Sequence, residues 1–270
     1  MPELIDASVT TNALKHARIG EHYIVAYTTS SYDKQYPEGI TPSRKRTSVI
    51  SSSGLDPAMF VDSPELRRIL DLAATERGRE STKLRRLLLK TFSEDTPVLQ
   101  RLAAGQFALD TEMSAKLSSR EKSLLQAAAF NDQINPTTRS LLITAAVNRP
   151  NDFGTWATGA INKVLENTPV DGYPTGTADH TGLVLLAFTE AMDRGIEVPY
   201  QTLARWLRSS HQLYLERASS LLQMRYPERS RSAFEEALGK TDPESKAYRF
   251  LEGKLRDVKR QDVGTDAQKH

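Results

Sequence analysis

Lys83, Arg86 and Lys90 follow one another at spacings of three and four in STKLRRLLLKTF, and no acidic residue interrupts that segment. At about 100° of rotation per helical residue they fall within about 60° of one another, opposite Leu84, Leu87, Leu88 and Phe92. A cationic helix face of this kind suits phosphate capture or an acidic partner. The plainer alternative is a solvated face. Arg44, Lys45 and Arg46 form the densest basic triplet, in a Ser-, Pro- and Gly-rich stretch that reads as a loop. Such a loop binds phosphates well or is simply solvated surface.

A third group lies in TLARWLRSSHQLYLERAS, where Arg205, Arg208, His211 and Gln212 punctuate an apolar pattern. The spacing is compatible with a helix-turn-helix. Leu203, Ala204 and Leu207 would bury its first helix and Tyr214 its second, with Ser210 as the cap and His211, Gln212 and Leu215 facing a groove. Arg208 stands where the turn favours glycine, and Ser209 and Arg217 stand where apolar residues belong. Two ordinary amphipathic helices, or one long one, with Leu and Trp in the core are the better expectation. Tyr23, Tyr27, Tyr32 and Tyr36 precede the basic triplet; such aromatics stack single-stranded bases or pack a strand, and packing is the better expectation.

Catalytic chemistry finds little material. The five histidines, His16, His22, His180, His211 and His270, show no metal-ligand spacing, and the chain has no cysteine for a thiolate, a disulfide or a zinc site. Neither G-x-S-x-G nor a phosphate-binding glycine loop is present. The expectation is a protein that is not an enzyme, with no cofactor and no bound metal. Its 36 basic and 34 acidic residues leave a net charge of +2, so any polyanion must be met by local faces rather than by bulk charge. No apolar run approaches the length of about eighteen residues of a membrane span. The first twenty residues lack the apolar core of a secretory signal. With no cysteine, these features fit a cytoplasmic location.

The elements that must position these residues are mostly helical. The expected fold is mainly α, a multi-helix bundle or irregular helical stack with a short β-like or irregular N-terminal part. Residues 1–60 read as an arm with a possible strand at 19–29 and a long loop over 30–57, within which RTSVIS (46–51) could pair as a second strand. Residues 61–168 and 179–259 read as helical subdomains, and 260–270 as a disordered tail. Helix starts are marked by Ser63-Pro64, Ser81, Thr96-Pro97, Ser118-x-x-Glu121, Asn135-Pro136, Pro199 and Pro227. Leu66, Ile69, Leu70 and Ala73 form the expected stripe of the first helix, Gly105 an expected break, and residues 151–165 one continuous helix. Between an Asp179 cap and a left-handed stop at Gly195, an almost wholly apolar helix should be the central packing element. The function expected from this pattern is non-enzymatic nucleic-acid binding, DNA ahead of RNA. The alternative is a helical protein-interaction or self-assembling scaffold or coat subunit of nucleocapsid type.

Overall fold

The computed structural model describes residues 11, 13, 15, 17–30, 46–49, 51–53, 56–75, 82–94, 96–171 and 180–267. The Arg44-Lys45 pair, Tyr32, Tyr36 and the Ser81 and Asp179 caps lie outside the described residues. The chain divides into two compact units, Met1–Arg79 and Glu80–His270.

In the first unit, β-branched and aromatic residues make short antiparallel ladders. Strands β1 (Tyr23–Val25) and β2 (Tyr27–Ser30) follow each other across Ala26 and take different partners. Strand β1 pairs with β6 (Met59–Val61), Tyr23 opposite Val61, while β2 pairs with β3 (Arg46–Val49), Tyr27 opposite Val49. Between those partners, β4 (Ser51–Ser53) and β5 (Asp56–Pro57) pair with each other. The expected long loop is thus partly strand. Helix α1 (Pro64–Thr75) follows, with Ser63 Oγ accepting the Leu66 N–H at 3.1 Å. Leu66 and Ile69 are buried, but Leu70 is 43% exposed and Ala73 is exposed too, so the stripe is narrower than expected.

The second unit holds α2 (Thr82–Thr91), α3 (Pro97–Leu109), α4 (Thr111–Ala115), α5 (Ser119–Phe130), α6 (Pro136–Asn148), α7 (Pro150–Phe153) and α8 (Ala157–Asn167). It continues with α9 (Thr181–Asp193), α10 (Tyr200–Trp206), α11 (Gln212–Arg225), α12 (Pro227–Leu238) and α13 (Lys246–Ala267). Both bonds of the Ser118/Glu121 capping box form, and Asn135 Oδ1 caps α6 through the Thr137 N–H at 2.9 Å. Gly105 lies inside α3 rather than ending it, because nothing at that position forces a non-helical backbone. The break comes at Gly154 instead, where φ of 99° separates α7 from α8. Helix α13 runs to Ala267, past the expected disordered start at residue 260.

Helix α9 is buried through Leu183, Val184, Ala187, Phe188 and Ala191 and packs on α6, α8 and α11, as its apolar sequence requires. Gly195 ends it at φ 68°. Helices α8 and α9, on either side of 168–178, pack together, and α3 packs on α6 and α12 on α13. Trp206 is fully buried where α9, α10 and α11 meet. Its ring lies edge-on to Phe188 and Tyr214 at centroid distances of 5.5 and 5.3 Å, and its Nε1–H donates to the Leu165 carbonyl at 2.8 Å.

Two substitutions probe these assignments. Trp206→Ala empties a large buried site and removes one of the two donors to the Leu165 carbonyl, so it should cost about 3–5 kcal/mol in urea unfolding. Parental stability would show that this junction does not organise the unit. Gly105→Ala adds a Cβ that meets nothing within 4 Å, so it should stabilise the chain by about 0.5–1 kcal/mol. A loss of stability would contradict a regular helix at that point.

Candidate nucleic-acid interface

Leu84, Leu88 and Leu89 turn α2 inward, which leaves Lys83, Arg86 and Lys90 exposed on its outer side. The C-terminal half of this face opens onto a groove of about 580 Å³ shared with the start of α5. Arg85, Arg86, Lys90 and Arg120 line it beside one carboxylate, Glu121. Lys83 lies on the same face of α2, outside the groove lining. Among the described residues Arg86 and Arg120 make neither a hydrogen bond nor an ion pair, whereas Lys90 Nζ sits 2.8 Å from Glu94 Oε1. The start of α5 lines the same groove, with its Glu121 amide already taken by Ser118 Oγ.

Glu121 organises the groove wall. Its Oε1 accepts from Arg85 Nε at 2.8 Å, and its Oε2 accepts from the Ser118 N–H and hydroxyl, each at 2.8 Å. Burial alone would raise this carboxyl, but the Arg85 and Ser118 hydrogen bonds outweigh it and hold the group below its ordinary 4.5. Arg85 is therefore tied down, and Arg86 and Arg120 supply the available charge.

The Arg205 group is placed differently. Arg205 is half-buried, with its guanidinium 5.2 Å from the Trp206 ring centroid and one N–H donated to the Leu165 carbonyl. Arg208 is exposed, and both line a smaller cleft between α10 and α12. Ser209, not Ser210, bridges the turn: its Oγ accepts the His211 N–H at 3.1 Å and donates to the Val170 carbonyl at 2.6 Å. His211 stacks on Tyr214 at 4.0 Å with its Nδ1 buried and unpaired, and Gln212 Nε2 donates to Glu216 at 2.7 Å. Leu215 is fully buried and faces the core, because α11 uses that side to pack on α9.

The structure therefore unites Arg86 with Lys90 in one groove and Arg205 with Arg208 in another, and no residue lines both. Arg46 opens β3 in the other unit. Arg120 was missed by the sequence reading because it belongs to a different helix from the α2 triplet. Its signal was a basic side chain in the first turn of α5, where the helix dipole disfavours one. Among the described residues, no group of three or more metal-binding side chains assembles, and no helix is long and apolar enough to cross a membrane. The chain matches no protein-family model, no curated protein and no solved structure.

The Glu121 anchor makes the wall acid-sensitive. A carboxyl held low in the folded state contributes stability above its unfolded pKa and loses it as pH falls through the lower folded value. Urea unfolding from pH 7 downward should show that loss beginning near 4.5. Glu121→Gln should be less stable at neutrality and less steep below that point. A variant as acid-sensitive as the parent would show that this carboxylate carries none of the effect.

Proposed function

We propose that this chain binds nucleic acid without catalysing a reaction, holding backbone phosphates in the groove between α2 and α5. The observation that carries the reading is the convergence of Arg86, Lys90 and Arg120 from two helices at the start of α5. Two of these cations have no hydrogen bond or ion pair among the described residues, and cations left without carboxylates are what a phosphate backbone exchanges for its counterions. Lys83 extends the charge along α2. DNA stands ahead of RNA because α10 and α11 are short consecutive helices joined by a turn, the arrangement that DNA readers present to the major groove. Base reading by α11 gains little support, since Leu215 is buried and Gln212 is engaged by Glu216. The binding is accordingly expected to depend on phosphates far more than on sequence. A cysteine-free chain fits a cytoplasmic setting.

Mobility shift with duplex DNA, single-stranded DNA and RNA at several salt concentrations tests this. With three to four phosphates neutralised, log affinity for duplex should fall against log salt with a slope of about −3. The double substitution Arg86→Ala, Arg120→Ala should lower that slope by about 2 and weaken binding to every sequence alike. Salt-independent binding, or an unchanged slope in the variant, would remove the groove from the interface.

A second reading, a protein-interaction or self-assembling subunit, is favoured by one observation. An apolar groove of about 520 Å³ between α3, α6 and α9 is edged by Leu109, which is 84% exposed. A strictly monomeric mass in light scattering across concentrations, with and without DNA, would exclude the self-assembling form.

A further inference from the structure

The cleft between α10 and α12 measures about 220 Å³, less than half the α2/α5 groove of about 580 Å³. Ala204, Ala233 and Ala237 keep it open, and Arg205, Arg208, Lys240 and Glu236 line it. Cations near helix C-termini ordinarily answer unpaired carbonyls, but here the backbone has already done so. Leu207, Arg208 and Ser209 amides take the last carbonyls of α10. Gly239, Lys240 and Thr241 amides take the carbonyls of Glu235, Ala237 and Leu238 at the end of α12.

The cations must then be accounted for otherwise. Glu236 is matched to Lys240, Oε1 to Nζ at 2.6 Å, and is the one carboxylate in the lining. Arg205 gives one N–H to the Leu165 carbonyl and keeps the rest of its fork, and Arg208 makes no hydrogen bond or ion pair among the described residues. Two guanidiniums thus face one cleft with a single shared carboxylate. We propose that this cleft is a phosphoryl-oxyanion site that takes free phosphate or a phosphate monoester, with Arg205 and Arg208 as forked donors and Lys240 as the third cation.

The volume admits one tetrahedral group rather than a run of nucleotides, and the charge excess matches a dianion better than the monoanion of a phosphodiester. Burial, and after it the neighbouring Arg208, lower the proton affinity of Arg205. A bound oxyanion offsets both through its opposite charge. The site is independent of the α2/α5 groove and of the nucleic-acid reading.

Titration of the full chain with inorganic phosphate at constant ionic strength, followed through the amide resonances of Ala204, Arg208, Ala237 and Lys240, tests the assignment. Saturable shifts are expected, with dimethyl phosphate binding at least about tenfold more weakly. Arg208→Ala should weaken phosphate about tenfold, a loss typical of one charge-assisted hydrogen bond. Glu236→Gln should tighten it severalfold by removing the competing carboxylate. The double variant Arg86→Ala, Arg120→Ala should leave these curves unchanged, so loss of nucleic-acid binding there and phosphate binding here can be told apart. Shifts that chloride reproduces, equal binding of dimethyl phosphate, or a parental curve in Arg208→Ala would overturn the proposal.

Discussion

A stack of short helices ends repeatedly on carbonyls that its own backbone cannot satisfy, and here long cationic side chains from neighbouring helices reach them. Arg149 spans from the end of α6 to the last turn of α3, donating to the Phe107 and Ala108 carbonyls at 2.8 and 2.6 Å and to Ser114 Oγ at 2.6 Å. Arg139 donates to the Ala129 carbonyl and Lys163 to that of Phe130, so two cations close the end of α5. Arg205 and Trp206 share the Leu165 carbonyl near the end of α8, and Lys122 takes the Asn151 carbonyl in α7. A buried carbonyl left unpaired costs about 1–3 kcal/mol, and a charged donor is the strongest available remedy. The donors also lie at helix ends where the dipole favours positive charge. These bonds tie the ends of α3, α5 and α8 to side chains of other helices, which helps set how those helices stack.

The basic residues fall into three populations that a net charge of +2 conceals. Arg139, at 3% exposure, is committed to a carbonyl and to Asp132 at 2.9 Å, and Arg149 is committed to two carbonyls and a hydroxyl. A cation held in this way has little left for a phosphate. Others pair along their own helix, as Arg231 with Glu235 and Arg256 with Glu252, contacts that contribute only about 0.3–0.5 kcal/mol each. Arg86, Arg120 and Arg208 belong to neither group.

The sequence made helix starts legible because their chemistry is local. Ser63-Pro64, Ser118-x-x-Glu121 and Asn135-Pro136 each place the capping oxygen and its N–H donor within a few residues, and each helix begins there. Glycine was harder to read. Gly105 and Gly154 are the same letter, but one is helical and the other sits at φ 99°, a difference decided by tertiary packing around Phe153 and Trp156. The turn before α11 misled by one residue, since Ser209 and Ser210 are adjacent and only Ser209 can reach the Val170 carbonyl. Carbonyl capping across 40 residues, as between Arg205 and Leu165, leaves no periodic trace. The α2 face was legible because it is one helix; the groove was not, because Arg120 comes from another.

The surface and the core are not separable at α10. With seven residues, this helix is too short to persist without tertiary support. The support is Trp206, held edge-on between Phe188 and Tyr214. Its indole N–H and the guanidinium of the preceding Arg205 converge on the single Leu165 carbonyl, so one acceptor at the end of α8 fixes both a core ring and a surface cation. Arg205 also lies over the Trp206 ring, which restricts the guanidinium plane. The direction in which that cation faces is therefore set from inside. Holding its charge in place needs no carboxylate partner, which is what leaves the outer part of the guanidinium available at the cleft.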